Sequence, residues 1–206
     1  MTTPPNAHEL AHELRDRLRI IESMIAEGRQ KTRSWGWAFL LWGIAYYFAF
    51  AWAALTHSAF AWPVTMVTAA LLTVAIARRA AIHTPGTATG RTIGALWIAG
   101  GTALFVFAFC AANSSQASVP ALLGGVEVIL GLVNLASGLI LRWRLQQLAG
   151  SLWIGFAAAS FFVPERIGGY LFLAAIFLCD ILFGLILMIS EARTGKAIPA
   201  SGPTHA

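Results

Sequence analysis

The chain has 206 residues, of which 58% are hydrophobic and 11% charged, with a mean hydropathy of +0.70. A soluble domain carries ~25% charged residues, and a core of this length cannot absorb so much apolar side chain, so lipid must solvate much of it. The net charge of +5 would suit nucleic acid, but the basic residues flank apolar segments and form no patch interleaved with aromatics, which excludes that partner and assigns the basicity to a membrane.

The first 34 residues are mostly polar. Pro4 and Pro5 precede a stretch from Asn6 to about Gln30 that reads as one amphipathic helix, with Asn6 as N-cap and Glu9 three residues on, as in a capping box. At ~100° per residue, Leu10, Leu14, Leu18, Ile21 and Ile25 share one face, and His8, His12, Arg15 and Arg19 fall nearly opposite. The apolar positions approximate two or three heptads, although Arg17 interrupts a core position. Two readings of this cytoplasmic segment stay open: a helix lying on the leaflet with its arginines near anionic headgroups, or one that pairs with a partner or its own twin. Both make the face a docking element.

The same stretch spells H-E-x-x-H at His8, Glu9 and His12, the helix-borne zinc-protease pattern. Its histidines point away from the only surface the helix can bury. About 30 residues are too few for a catalytic domain, and no third ligand or cleft is apparent. The zinc metalloprotease is therefore a remote alternative, and no metal site or catalytic residue is assigned.

Six apolar runs approach the ~20 residues that cross a bilayer. They are Trp35–Leu55, Ala59–Ala77, Thr92–Ala112, Val119–Leu141, Leu148–Val163 and Gly168–Ser190, with residues 191–206 as a disordered cytoplasmic tail. The fifth is short at 16 residues, with Pro164 ending it. No cleavable signal is evident. Thirteen of the 14 Lys and Arg residues fall on one side of these spans, and Arg166 alone on the other, so both termini are expected in the cytoplasm. Cys110 lies near the outer end of the third span and Cys179 near the middle of the sixth, depths that do not suit a disulfide.

Self-comparison gives three tandem hairpins. Trp42, Trp97 and Trp153 recur in the odd spans at intervals of 55 and 56 residues, and Pro63, Pro120 and Pro164 follow those spans. The last two even spans end alike, "NLASGLILRW" against "DILFGLILMI", which sets Asn134 opposite Asp180. The competing explanation is that Trp, Gly and Leu suit interfaces and close helix contacts in any membrane protein. Six short spans with this pattern of Trp, Gly and Pro resemble the HdeD-like family of small bacterial membrane proteins. The resemblance implies a six-helix inner-membrane protein in a family linked to acid stress, and it carries over no functional residue. The charged N-terminal segment departs from that pattern.

Two formal charges lie inside the spans, Glu127 and Asp180. Measured from the outer ends, Glu127, Asp180 and Asn134 lie ~12, ~18 and ~22 Å deep. Glu127 and Asn134 share a helix face with Gly124, Gly131 and Gly138, the small and polar stripe of a close helix seam. Inserting a carboxylate there costs ~2.5–3.5 kcal/mol, and no Lys or Arg lies at these depths. Each acid is expected to be protonated, hydrogen-bonded to groups such as Tyr46, Thr102 or Asn134, or bound to a cation.

The chain thus reads as an all-α membrane protein of six transmembrane helices over residues 35–190, preceded by an amphipathic helix. No His occupies a span centre, so no haem is expected, and no phosphate loop, CxxC pair or nucleophile elbow appears. The expectation is a non-enzymatic protein without cofactor that works by association with a protein partner or its own copies in the bilayer, as accessory subunit, scaffold or stress-linked regulator. The alternative is a small proton- or cation-coupled transporter using Glu127 and Asp180, although no broken helix is foreseen around them.

Overall fold

A computed structural model describes residues 7–81 and 88–196. The described elements are all helical: α1 (Ala7–Arg33), α2 (Gly36–Thr56), α3 (Ala61–Ala81), α4 (Ala88–Ala112), α5 (Val119–Ile140), α6 (Arg144–Ser160), α7 (Glu165–Ile176) and α8 (Phe183–Lys196). A π-helical turn, Phe177–Leu182, joins α7 to α8. Five helical stretches are long and apolar enough to cross a membrane: α2, α3, α4, α5 and the continuous run Glu165–Arg193. They mark the chain as a membrane protein. The expected N-cap Asn6 and residues 197–206 of the expected tail lie outside the described residues, and residues 191–196 belong to the last turns of α8.

The fifth expected span corresponds to α6, which has 17 residues, or ~25 Å, and falls short of the other five. It begins four residues earlier than Leu148 because α5 ends in a tight reversal at Leu141, Arg142 and Trp143. Arg142 adopts a left-handed conformation, φ 47°, the position that glycine normally fills after a helix. The Trp143 amide then donates to Gly138 O at 2.8 Å and the Arg142 amide to Leu139 O at 3.1 Å, which closes the end of α5. Pro164 caps the start of α7 and does not end α6, whose last residue is Ser160. Pro63, Pro120 and Pro164 all sit in the first turn or N-cap of the helix they precede, where a missing amide hydrogen costs nothing.

The core is built from α2, α5, α6 and the α7–α8 run. Tyr46, Val126, Trp153, Phe172, Ala175, Ile176 and Cys179 are buried together, and Phe39, Ala149, Phe183 and Leu187 form a second cluster. Helix α3 packs on α2, and α4 packs on α5 and the end of α1. Ile98, Phe105, Val106 and Phe109 of α4 stay exposed, which suits a lipid-facing helix. The three Trp residues of the sequence repeat do different work. Trp42 donates to Thr73 Oγ1 at 3.1 Å, Trp97 packs edge-on against Phe39, and Trp153 is fully buried.

The closest pair is α5 with α6, running antiparallel. A Cβ on Gly138 would lie 2.6 Å from the amide nitrogen of Gln147, and one on Gly150 would lie 2.7 Å from Leu135 Cα. Backbone meets backbone there, and a neighbour of that kind cannot swing aside. Gly138→Ala or Gly150→Ala should destabilise the protein by about 1–3 kcal/mol, read as a lower thermal midpoint in detergent. Gly94→Ala on α4, where a Cβ meets nothing within 4 Å, should leave the midpoint unchanged or raise it.

Candidate functional site

Two features stand out from this scaffold: polar groups buried along the α5–α6 seam, and the apolar face of α1.

The glycine stripe of α5 brings its polar neighbours against α6. Glu127 is fully buried, and its Oε2 accepts from Ser160 Oγ at 3.2 Å, while Oε1 is buried without a hydrogen-bond partner. Asn134 donates from Nδ2 to Leu130 O at 3.0 Å within its own helix, and its Oδ1 has no partner. Nearer the α5–α6 turn, Ser137 Oγ and the side-chain amide of Gln146 are buried and unpartnered too. Unmet polar atoms in a dry interior are costly, and native proteins hold few of them. A row of them is a place where a proton, a water or a cation finds partners.

Asp180 faces a different helix. Its Cβ lies 3.2 Å from where a Cβ on Gly43 of α2 would sit, so the glycine makes room for it. Tyr46, one turn further along α2, and Cys179 are within electrostatic reach of Asp180, and Cys179 is also within reach of Glu127. The π turn contains Asp180, and such wide turns gather at functional sites. The sixth span is therefore irregular at its acid, contrary to the regular helix expected from the sequence.

No hydrogen bond joins Glu127, Asn134 and Asp180 to one another. Of the partners foreseen for the acids, Thr102 is exposed and donates to Ile98 O within α4, and Asn134 donates to Leu130 O within α5. Ser160 is the partner that sequence reasoning missed. The sequence held only the glycine stripe of α5 as a hint; the antiparallel register of Gly131 and Gly138 with α6, which carries Ser160 to the level of Glu127, comes from the structure. Cys110 is exposed and Cys179 buried, both as free thiols.

On α1, Leu10, Leu14, Leu18 and Ile21 are each about half exposed, between 48% and 59%, and Ile25 is half-buried. The same face continues to Gly28 and Thr32, which are buried against the bundle. A Cβ on Gly28 would lie 2.7 Å from Leu141 and from Thr89. Arg29 fastens this end. Its Nε donates to Leu141 O at 2.7 Å and its Nη2 to Arg142 O at 2.8 Å, which satisfies carbonyls left over at the end of α5. The charges of α1 pair along the helix: Arg17 with Glu13, and Arg19 with Asp16. The side chains of His8 and Glu9 lie outside the described residues, and His12 Nδ1 lies 3.1 Å from Asp16 Oδ2.

Comparison with known protein families, with characterised proteins and with solved structures returns no match.

The Glu127–Ser160 contact makes a prediction of its own. Ser160→Ala leaves both carboxyl oxygens of Glu127 unpartnered and should cost about 1–3 kcal/mol. Combined with Glu127→Leu, the second change should cost much less, because the orphaned group is gone. Thermal unfolding of the two single variants and the double variant measures the coupling.

Proposed function

We propose that this chain is a six-span inner-membrane protein, with both termini cytoplasmic, that works by association and not by catalysis. The apolar stripe of α1 is its contact, and a second copy of the chain is the occupant. The observation that carries this is the exposure of Leu10, Leu14, Leu18 and Ile21 on a helix whose other end is fastened to the bundle. Thirteen basic residues on one side support the topology, and α6 serves as a short sixth span packed along α5.

Two features favour a helix over a lipid surface as the occupant. The arginines at positions 17 and 19 are engaged with acids of the same helix, which reduces their pull on anionic headgroups. Leu14, Leu18, Ile21 and Ile25 follow the alternating four- and three-residue steps of a coiled-coil seam. In that register Arg17 sits beside the seam, not in it as the looser heptad reading of the sequence had it. Glu22 then occupies the flanking position at which Arg17 of a parallel second copy would exchange its exposed pairing with Glu13 for one across the seam. The HdeD-like resemblance agrees with a small accessory or stress-linked role.

Leu14→Glu with Leu18→Glu should turn a dimer in mild detergent into a monomer by light scattering, with helix content and thermal midpoint kept. A wild-type protein that is monomeric in detergent and in nanodiscs alike would sink the proposal.

A second reading has its own support, the π turn at Asp180 and the unpartnered Oε1 of Glu127: a proton or cation relay through the bundle. Here Glu127→Gln with Asp180→Asn should abolish a proton or cation flux that the wild type shows in liposomes. Equal flux in both, or none in the wild type, dismisses it.

A further inference from the structure

Between the end of α1 and the last turns of α8 lies a cleft of ≈470 Å³ lined by Arg33, Ile186, Ile189, Ser190 and Arg193. Arg193 ends the apolar run that begins at Glu165, so in a bilayer it stands at the level of the headgroups. Ile186 and Ile189 lie one to two turns deeper along α8 and are 40% and 52% exposed. Arg33 approaches from α1.

Arg33 is the informative residue. Its guanidinium carbon lies 5.8 Å from the centre of the Trp143 ring, so the aromatic face orients the fork. Its Nε is buried without a hydrogen-bond partner. A guanidinium is always charged and has five donors in one plane, so with Nε enclosed its remaining donors are the ones that can meet an anion in the cleft that Arg33 lines. Among the described residues no carboxylate forms an ion pair with Arg33 or Arg193. Two cations without acids, at headgroup level and above branched aliphatic side chains, match the chemistry of an amphiphile with a phosphate at one end.

We propose that the cleft between α1 and α8 binds an anionic phospholipid, with its phosphate held between Arg33 and Arg193 and an acyl chain lying along Ile186 and Ile189. A free phosphate ion shares the headgroup chemistry but makes no use of the apolar floor. The lipid would also join α1 to α8, since one guanidinium comes from each.

The full chain in nanodiscs tests this. Adding phosphatidylglycerol to phosphatidylcholine should raise the thermal midpoint of the wild type, whereas inorganic phosphate added to phosphatidylcholine discs should not. Native mass spectrometry from mild detergent should find phosphatidylglycerol retained. Arg33→Gln and Arg193→Gln should each weaken retention about tenfold, the scale of one lost charge-assisted bond. Arg193 is exposed near the end of α8, so Arg193→Gln and Arg193→Glu remain readable even where Arg33→Gln fails to fold. Equal retention by the Arg193 variants overturns the proposal, as does an equal shift with inorganic phosphate, which would make this a site for a soluble anion.

Discussion

The rest of the bundle depends on the approach of α5 to α6. In lipid there is no hydrophobic drive to press two apolar helices together, so association falls to close packing and to hydrogen bonds across the seam. Gly131, Gly138 and Gly150 remove the side chains that would hold the backbones apart. The register they set carries Ser160 to Glu127 and places Gln147 where its amide donates to Gly138 O at 3.0 Å. A carboxyl group can be buried in this chain because the glycines first bring a hydroxyl within reach of it.

The same approach explains the short helix. An α5–α6 reversal of three residues, with Arg142 in a left-handed conformation, leaves little slack, so α6 must start close to where α5 ends and follow it back. Its 17 residues pack one face against α5 and the α7–α8 run, with Trp153 and Ala157 buried and Leu148 exposed on the other side. The outer helices obey a looser rule. Among the described residues, Leu71, Val74 and Ile76 of α3 and Ile98, Phe105, Val106 and Phe109 of α4 face outward, where lipid is as good a partner as protein.

Much of this was legible in the sequence, for physical reasons that differ from residue to residue. Apolar runs bounded by prolines and arginines identify the helices, because a spanning segment must satisfy its backbone internally and its ends need residues that suit water. The phase of Leu10, Leu14, Leu18 and Ile21 was readable because an exposed helix obeys a single period. The partner of Glu127 was not readable by depth alone, since Tyr46, Thr102 and Ser160 are all hydroxyl residues within the spans. Choosing between them needs the helix order and the rotation of each helix. Thr102 lost because α4 turns it away from the core. The π turn was illegible, because one residue inserted into a helical period leaves no compositional trace in "FLCDIL".

The most consequential unforeseen contact is Arg29. It reads as one more basic residue of a cytoplasmic segment, yet it holds the carbonyls of Leu141 and Arg142. The next turn of α1 sets Arg33 over Trp143 of the same reversal. Helix α1 is thus joined by two arginines to the hinge of the hairpin that buries Glu127. Detaching it would break two charge-assisted hydrogen bonds and leave the end of α5 with uncapped carbonyls, at a cost on the scale of ~1.5–3 kcal/mol for each bond. A partner on the leucine face, as proposed, would act on a lever already fixed to the α5–α6 turn, and the proposed lipid between Arg33 and Arg193 would tighten the same end. The leucine face of α1 and the packing around the buried Glu127 therefore belong to one connected set of helices, joined through the α5–α6 turn.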